Sequence, residues 1–161
     1  MSYLFYGCIS LKEINLNYFD TSNVENAEYM FYNCKNITSL NVLSLRTQKM
    51  KNMNYIFGRC ENLKEIDLSN FDTKQVTQME GMFYNCLTLT TIDLTKFETS
   101  KVTTMSHMFH GCSNISSIKL NNFNTQNVIN MSYMFYNCFS LELLDISNVS
   151  TGKVTTMEKM F

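Results

Sequence analysis

Proline is absent from this chain, and its 5 glycines are spread thinly over 161 residues. Without either breaker in quantity there is no linker to divide the chain, so a single domain over residues 1–161 is expected. No apolar stretch approaches the ~20 residues of a membrane-spanning helix, which excludes such a span within this segment. An excess of one charge is lacking too. The 13 Lys and Arg residues are balanced by 14 acids and scattered along the chain, leaving no electrostatic footprint for nucleic acid or anionic lipid. Histidine is confined to His107 and His110, and no two cysteines stand a few residues apart as a C-x-x-C metal site requires.

What is abundant is regularity. Cys8, Cys34, Cys60, Cys86, Cys112 and Cys138 are 26 residues apart, and the apolar residues keep step with them. Phenylalanine fills one column from Phe5 to Phe161, preceded in each copy by Leu4, Met30, Ile56, Met82, Met108, Met134 or Met160. A threonine recurs at Thr21, Thr47, Thr73, Thr99, Thr125 and Thr151. The unit reads L-x-x-I-x-L-x-x-F-x-T-x-x-V-x-x-M-x-x-M-F-x-x-C-x-x. A fixed period of this length marks stacked repeats, in which each copy buries its apolar face against its neighbours.

Two periodicities divide the unit. Ile66-Asp67-Leu68 alternates apolar with polar, as a short strand requires. Val76, Met79, Met82, Phe83 and Cys86 lie three and four apart, which predicts one stripe of a helix. The threonine between them is placed to cap that helix, and Gly7 or Asn33, just before a cysteine, suits its exit. The expected fold is therefore α/β, six strand-helix coils with one parallel sheet. The cysteines fit a buried ladder of free thiols better than disulfides, because side chains in a stacked column point the same way rather than at each other.

The segment Leu63-x-x-Ile66-x-Leu68-x-x-Phe71 resembles the frame of leucine-rich repeats. The whole unit, with its Phe-Asp-Thr, Met-x-x-Met-Phe and Cys elements at fixed spacing, is similar to the BspA-like surface-protein repeats of bacteria and some protozoa. The second copy departs most, with Leu45 and Arg46 in place of Phe-Asp and Ala27 in place of a methionine. The resemblance implies a right-handed leucine-rich-repeat-like solenoid at the cell surface or outside the cell. It also implies adhesion or protein binding, with host or matrix proteins as the class of partner. The chain starts and stops mid-repeat without a visible cap, so an excised piece of a longer array is expected.

Two faces are candidates for recognition. Eight of the nine tyrosines fall in two columns that the two histidines complete: Tyr3, Tyr29, Tyr55, His107 and Tyr133 in one, Tyr6, Tyr32, Tyr84, His110 and Tyr136 in the other. At about 100° per residue both columns point away from the core, which predicts an external aromatic ridge. Such rings either support one another as a ladder or form a recognition surface. The strand side offers Asn15, Asn17, Lys64, Glu65, Asp67, Asp93, Lys119 and Asp145. The resemblance favours this second face, where leucine-rich repeats grip their partners.

Reactive residue types follow the repeat instead of gathering at one place, so no enzyme, cofactor or metal centre is expected. The histidine pair lacks an evident third ligand, and Lys119 interrupts the acid column that a calcium track would need. The competing reading is structural: a rigid spacer or self-assembling rod, end-to-end or within a larger complex, where an intracellular location would suit reduced thiols.

Overall fold

The computed structural model describes all residues, 1–161. Each copy stacks on the next with a shift of 26 residues, and this register is visible as a row of parallel bridges joining Asn26, Asn52, Gln78, Thr104, Asn130 and Thr156. A second line of pairing forms one two-stranded parallel sheet, β1 (Ser117–Lys119) and β2 (Leu143–Asp145), with Ile118 opposite Leu144. The single parallel sheet expected across six coils is thus confined to one pair of strands, because the Ile-x-Leu segments of the earlier copies stack without a backbone ladder between them.

The expected helices do not form. Across residues 27–34 the backbone alternates between two kinds of hydrogen bond. The N–H groups of Tyr29, Phe31 and Asn33 donate to carbonyls of the next copy, at Asn54, Ile56 and Gly58. Those of Met30, Tyr32 and Cys34 donate three residues back, to Ala27, Tyr29 and Phe31. Turns of the i to i−3 kind therefore replace the i−4 bonds of an α-helix. Tyr29 and Asn33 have φ values of 54° and 62°, and the same two columns are left-handed in the other copies, including Gly81 at 55° and Gly111 at 72°. A left-handed residue every four positions is incompatible with a right-handed helix. Gly7 and Asn33 thus take the left-handed conformation expected of them, but they belong to a chain of turns and not to a helix exit. The three-and-four spacing misled because inward-pointing residues of consecutive turns recur at nearly the same interval.

The core is one cluster of 40 buried residues running through the stack. Its spine is the phenylalanine column. From Phe5 to Phe161 neighbouring rings lie 5.3–5.9 Å apart and within 17° of parallel, an offset stacking that adds to the area each ring buries. Cysteine sits beside it. Cys60, Cys86 and Cys112 are buried free thiols, and each Sγ donates to the carbonyl of the phenylalanine 29 residues earlier, as Cys86 does to Phe57 at 3.2 Å. Phe57 O also accepts the Cys60 N–H, so both of its lone pairs are used. Burial pushes the Cys34 and Cys138 thiols up to about 11 and raises the three inner thiols well above their ordinary value, which keeps them protonated and able to donate.

The threonine column has a role other than capping. Thr73 Oγ1 donates to Glu98 O at 2.9 Å and accepts from Glu98 N at 2.8 Å. Thr21, Thr47, Thr99 and Thr125 make the same two bonds to Arg46, Asp72, Asn124 and Ser150. Each of these threonines is buried, and its hydroxyl staples one copy to the next by pairing with both backbone groups of the residue it faces. The divergent second copy keeps its place in the stack because Leu45 is buried and Arg46 still makes both staple bonds.

Candidate functional site

The two aromatic columns lie side by side on the turn face. Tyr3, Tyr29 and Tyr55 stack 5.0 Å apart, and His107 stacks on Tyr133 at 4.8 Å. Tyr6 stacks on Tyr32 at 5.3 Å, while His110 lies against Tyr84 at 4.8 Å and Tyr136 at 5.3 Å. Edge contacts join the columns, as between Tyr29 and Tyr32. Glycine breaks each column once. A Cβ on Gly81 would fall 2.1 Å from the Tyr55 ring, and one on Gly58 would fall 2.8 Å from the Tyr32 ring, so each ring leans into the space its neighbour lacks. Two hydroxyls find carboxylates: Tyr55 Oη donates to Glu80 at 3.0 Å and Tyr133 Oη to Glu158 at 2.6 Å. Burial raises Tyr29 to about 12 and Tyr55 further, the Glu80 charge adding to the second. Stacked this way, the rings present edges and hydroxyls to solvent and spend their faces on one another.

On the strand side, Asn15, Asn17, Lys64, Glu65, Asp67, Asp93 and Lys119 are exposed and Asp145 is half-buried. The acid column builds corners. Asn15, Asn41, Asp67, Asp93 and Asp145 each accept the backbone N–H two residues on, at 2.9–3.1 Å, closing the turn that ends the strand segment. Hydrogen bonds from Ser69, Thr95 and Ser147 hold Asp67, Asp93 and Asp145 below the usual carboxylate range.

Only part of this face converges. A groove of about 670 Å³ crosses the second, third and fourth copies, bringing together Glu65, Asp67 and Asp93 over a floor of Leu40, Val42, Ile66, Leu68 and Ile92. Asn15, Asn17, Lys64, Lys119 and Asp145 lie outside it. Asn41 and Ser69 also line it, with Ser39, Thr91 and Lys96, which were not singled out by the sequence; Ser39 and Thr91 stand in the column of Glu65, whereas Lys96 shares its column with Asn70 and Asn122. The strand segments that line it are not laddered together. Beyond the bridge at Ser39 and Glu65, no backbone hydrogen bond joins residues 41–42 to 67–68, or 66–68 to 92–94. The Asn70 and Asn122 amides instead reach back to carbonyls of the preceding copy, Asn70 to Leu43 at 2.7 Å and Asn122 to Leu94 at 3.0 Å.

This is the fold of a leucine-rich-repeat protein. It is shared with a leucine-rich-repeat protein of Treponema pallidum, with a TM-score of 0.59 and 19% identity over 89% of this chain and 60% of that one. The chain belongs to the family described as "Mycoplasma protein of unknown function, DUF285", whose model matches residues 1–92 and again 87–161. A leucine-rich cell surface protein of Faecalibacterium prausnitzii (TM-score 0.43, 18% identity, 83% of this chain and 42% of that one) is also similar. So is a leucine-rich repeat protein of Eubacterium ventriosum (0.43, 17%, 81% and 53%). No curated protein matches. This chain thus spans 60% or less of each of these solved structures.

Proposed function

We propose that the chain is a non-catalytic protein-binding module of a cell-surface protein, wound as a right-handed solenoid, and that its strand-side groove holds an extended, basic segment of a protein partner. The carrying observation is the coincidence of three features at one place: an apolar floor, a rim with Glu65, Asp67 and Asp93 against the single Lys96, and strand segments with no backbone bonds to each other. An apolar floor supplies burial, and unpaired peptide groups supply main-chain partners. The acidic rim selects Lys or Arg and speeds encounter by electrostatic attraction. Parallel winding in the right-handed sense accords with the chirality of strand connections, and the surface location rests on the resemblance of the repeat unit to surface-protein repeats.

The test is a peptide array of extended apolar segments flanked by basic or by acidic residues, probed with the full chain at two salt concentrations. The expected result is salt-sensitive binding to the basic set, abolished by Glu65→Lys and retained by Tyr29→Phe with Tyr32→Phe, all at unchanged melting temperature. Binding lost only in the tyrosine variants would move the site to the ridge. No binding by any peptide, together with self-association of the chain, would favour the rod.

A further inference from the structure

We propose that His107 and His110 chelate a divalent transition-metal ion, zinc or nickel, through their two Nδ1 atoms. The two nitrogens face each other 3.3 Å apart. Two imidazoles bound to one tetrahedral ion at about 2.0–2.1 Å would hold their nitrogens about 3.3–3.4 Å apart. The spacing that serves one N–H···N hydrogen bond is therefore also the bite of a chelate.

The surroundings fix that bite. His107 has a φ of 58°, a left-handed turn conformation that histidine tolerates better than most residues. Its ring lies face to face with Tyr133, 4.8 Å away and 6° from parallel. His110 is packed between Tyr84 and Tyr136. Rings held by stacking lose little further freedom when an ion binds. Both side chains are half-buried, so water can reach the pair and fill the remaining coordination positions.

Charge favours a dication here. The charged group that acts on His107 is the carboxylate of Glu80 in the preceding copy. In the metal-free pair one Nδ1 carries a proton. Binding moves that proton to Nε2 of the same ring, a change of tautomer that releases no proton and presents two lone pairs to the ion. Imidazole nitrogen suits zinc and nickel better than it suits calcium or magnesium. Elsewhere in these columns tyrosine, glycine or lysine stands, so the fifth copy alone offers two nitrogen donors of this kind.

The experiment titrates zinc chloride, then nickel chloride, into the full chain, following imidazole nitrogens by long-range proton–nitrogen correlation and heat by calorimetry. The expected result is one saturable equivalent, with the Nδ1 resonances of both rings moving together and both protons found on Nε2. His107→Asn, which keeps a residue tolerant of the left-handed turn, and His110→Gln should each weaken binding by about tenfold or more, since even second-shell changes cost that much. Glu80→Gln should weaken it less. Unmoved Nδ1 resonances in the unaltered chain would overturn the proposal and leave a simple hydrogen bond. Affinity in both histidine variants equal to that of the unaltered chain would also overturn it, by assigning the ion to thiols or carboxylates.

Discussion

The two long sides of the stack are built to different standards. On the turn side, every second backbone N–H from Tyr29 to Asn33 reaches the next copy, and the pattern repeats at Tyr55, Phe57 and Arg59 and again at His107, Phe109 and Gly111. Buried threonine, cysteine and phenylalanine columns reinforce it. On the strand side, regular pairing is confined to β1 and β2, and the middle copies are bridged by asparagine side chains. The turn side carries the denser bonding, while the strand side leaves peptide groups of its middle copies unpaired. Because each copy contacts mainly its neighbours, damage to the first side should spread along the array while damage to the second should stay local.

The largest break is expected in the spine. Phe83 is fully buried between Phe57 and Phe109 at 5.8 and 5.6 Å. Phe83→Ala should cost roughly 3 to 5 kcal/mol through lost burial and a cavity, measured by denaturant unfolding. Ile92→Ala, on the half-exposed groove floor, should cost well under that and leave the transition cooperative. Equal losses at the two positions would erase the distinction between the sides.

Next comes the staple. Thr99→Val preserves shape but removes both bonds to Asn124, leaving one N–H and one C=O without the partner they have across the copies. The expected loss is about 2 to 3 kcal/mol in thermal unfolding, the upper part of the range for orphaned groups. Thr99→Ser should recover most of it. A loss of about 1 kcal/mol or less for valine would match a simple cap and not a staple.

The stacked units, the inward phenylalanines and the buried thiols were legible because each depends on burial, and burial imposes one residue type on a column. Hydrogen-bond partners are less legible. A threonine that caps a helix and a threonine that staples a neighbour look alike in a string, since both need only a short hydroxyl at a corner. The turn segment was misread for a related reason, but Gly81 within the tyrosine column carried the missing signal. Glycine in the middle of a proposed helix stripe marks a position that needs positive φ. For the candidate site, Glu65, Asp67 and Asp93 were readable as exposed strand residues. Their convergence over an open floor was not, because it depends on how unpaired segments of three copies pack against one another.

Gly81 also tests how far the aromatic ridge is structural. Gly81→Ala places a Cβ 2.1 Å from the Tyr55 ring at a φ of 55°. Left-handed alanine alone costs about 1 to 2 kcal/mol, and Tyr55 must leave its stack on Tyr29. A melting temperature lowered accordingly is expected, against no change for Gly152→Ala, whose nearest neighbour is Ser150 Oγ at 3.9 Å. An unchanged Gly81→Ala protein would mean that the ridge gives little support to the turn side.

The smallest effect separates the sides by pH. The thiols that back the turn side resist titration, whereas the strand-side corners rest on carboxylates. Asp67 is held below its ordinary value of 3.8 by the hydrogen bonds from Ser69. A group lowered on folding stabilises the folded state above its unfolded pKa and loses that contribution as pH falls through its folded pKa. The window therefore lies below pH 3.8. Asn41 makes the same turn without a charge, so Asp67→Asn should keep the corner and delete the pH dependence. Melting curves from about pH 5 to about pH 2 should show the unaltered chain losing stability relative to Asp67→Asn only at the acid end, while the other acids cancel in the difference. Parallel curves throughout would mean that the Asp67 bond to Ser69 forms equally in the unfolded chain, and the corner would then owe its shape to the turn sequence and not to the carboxylate.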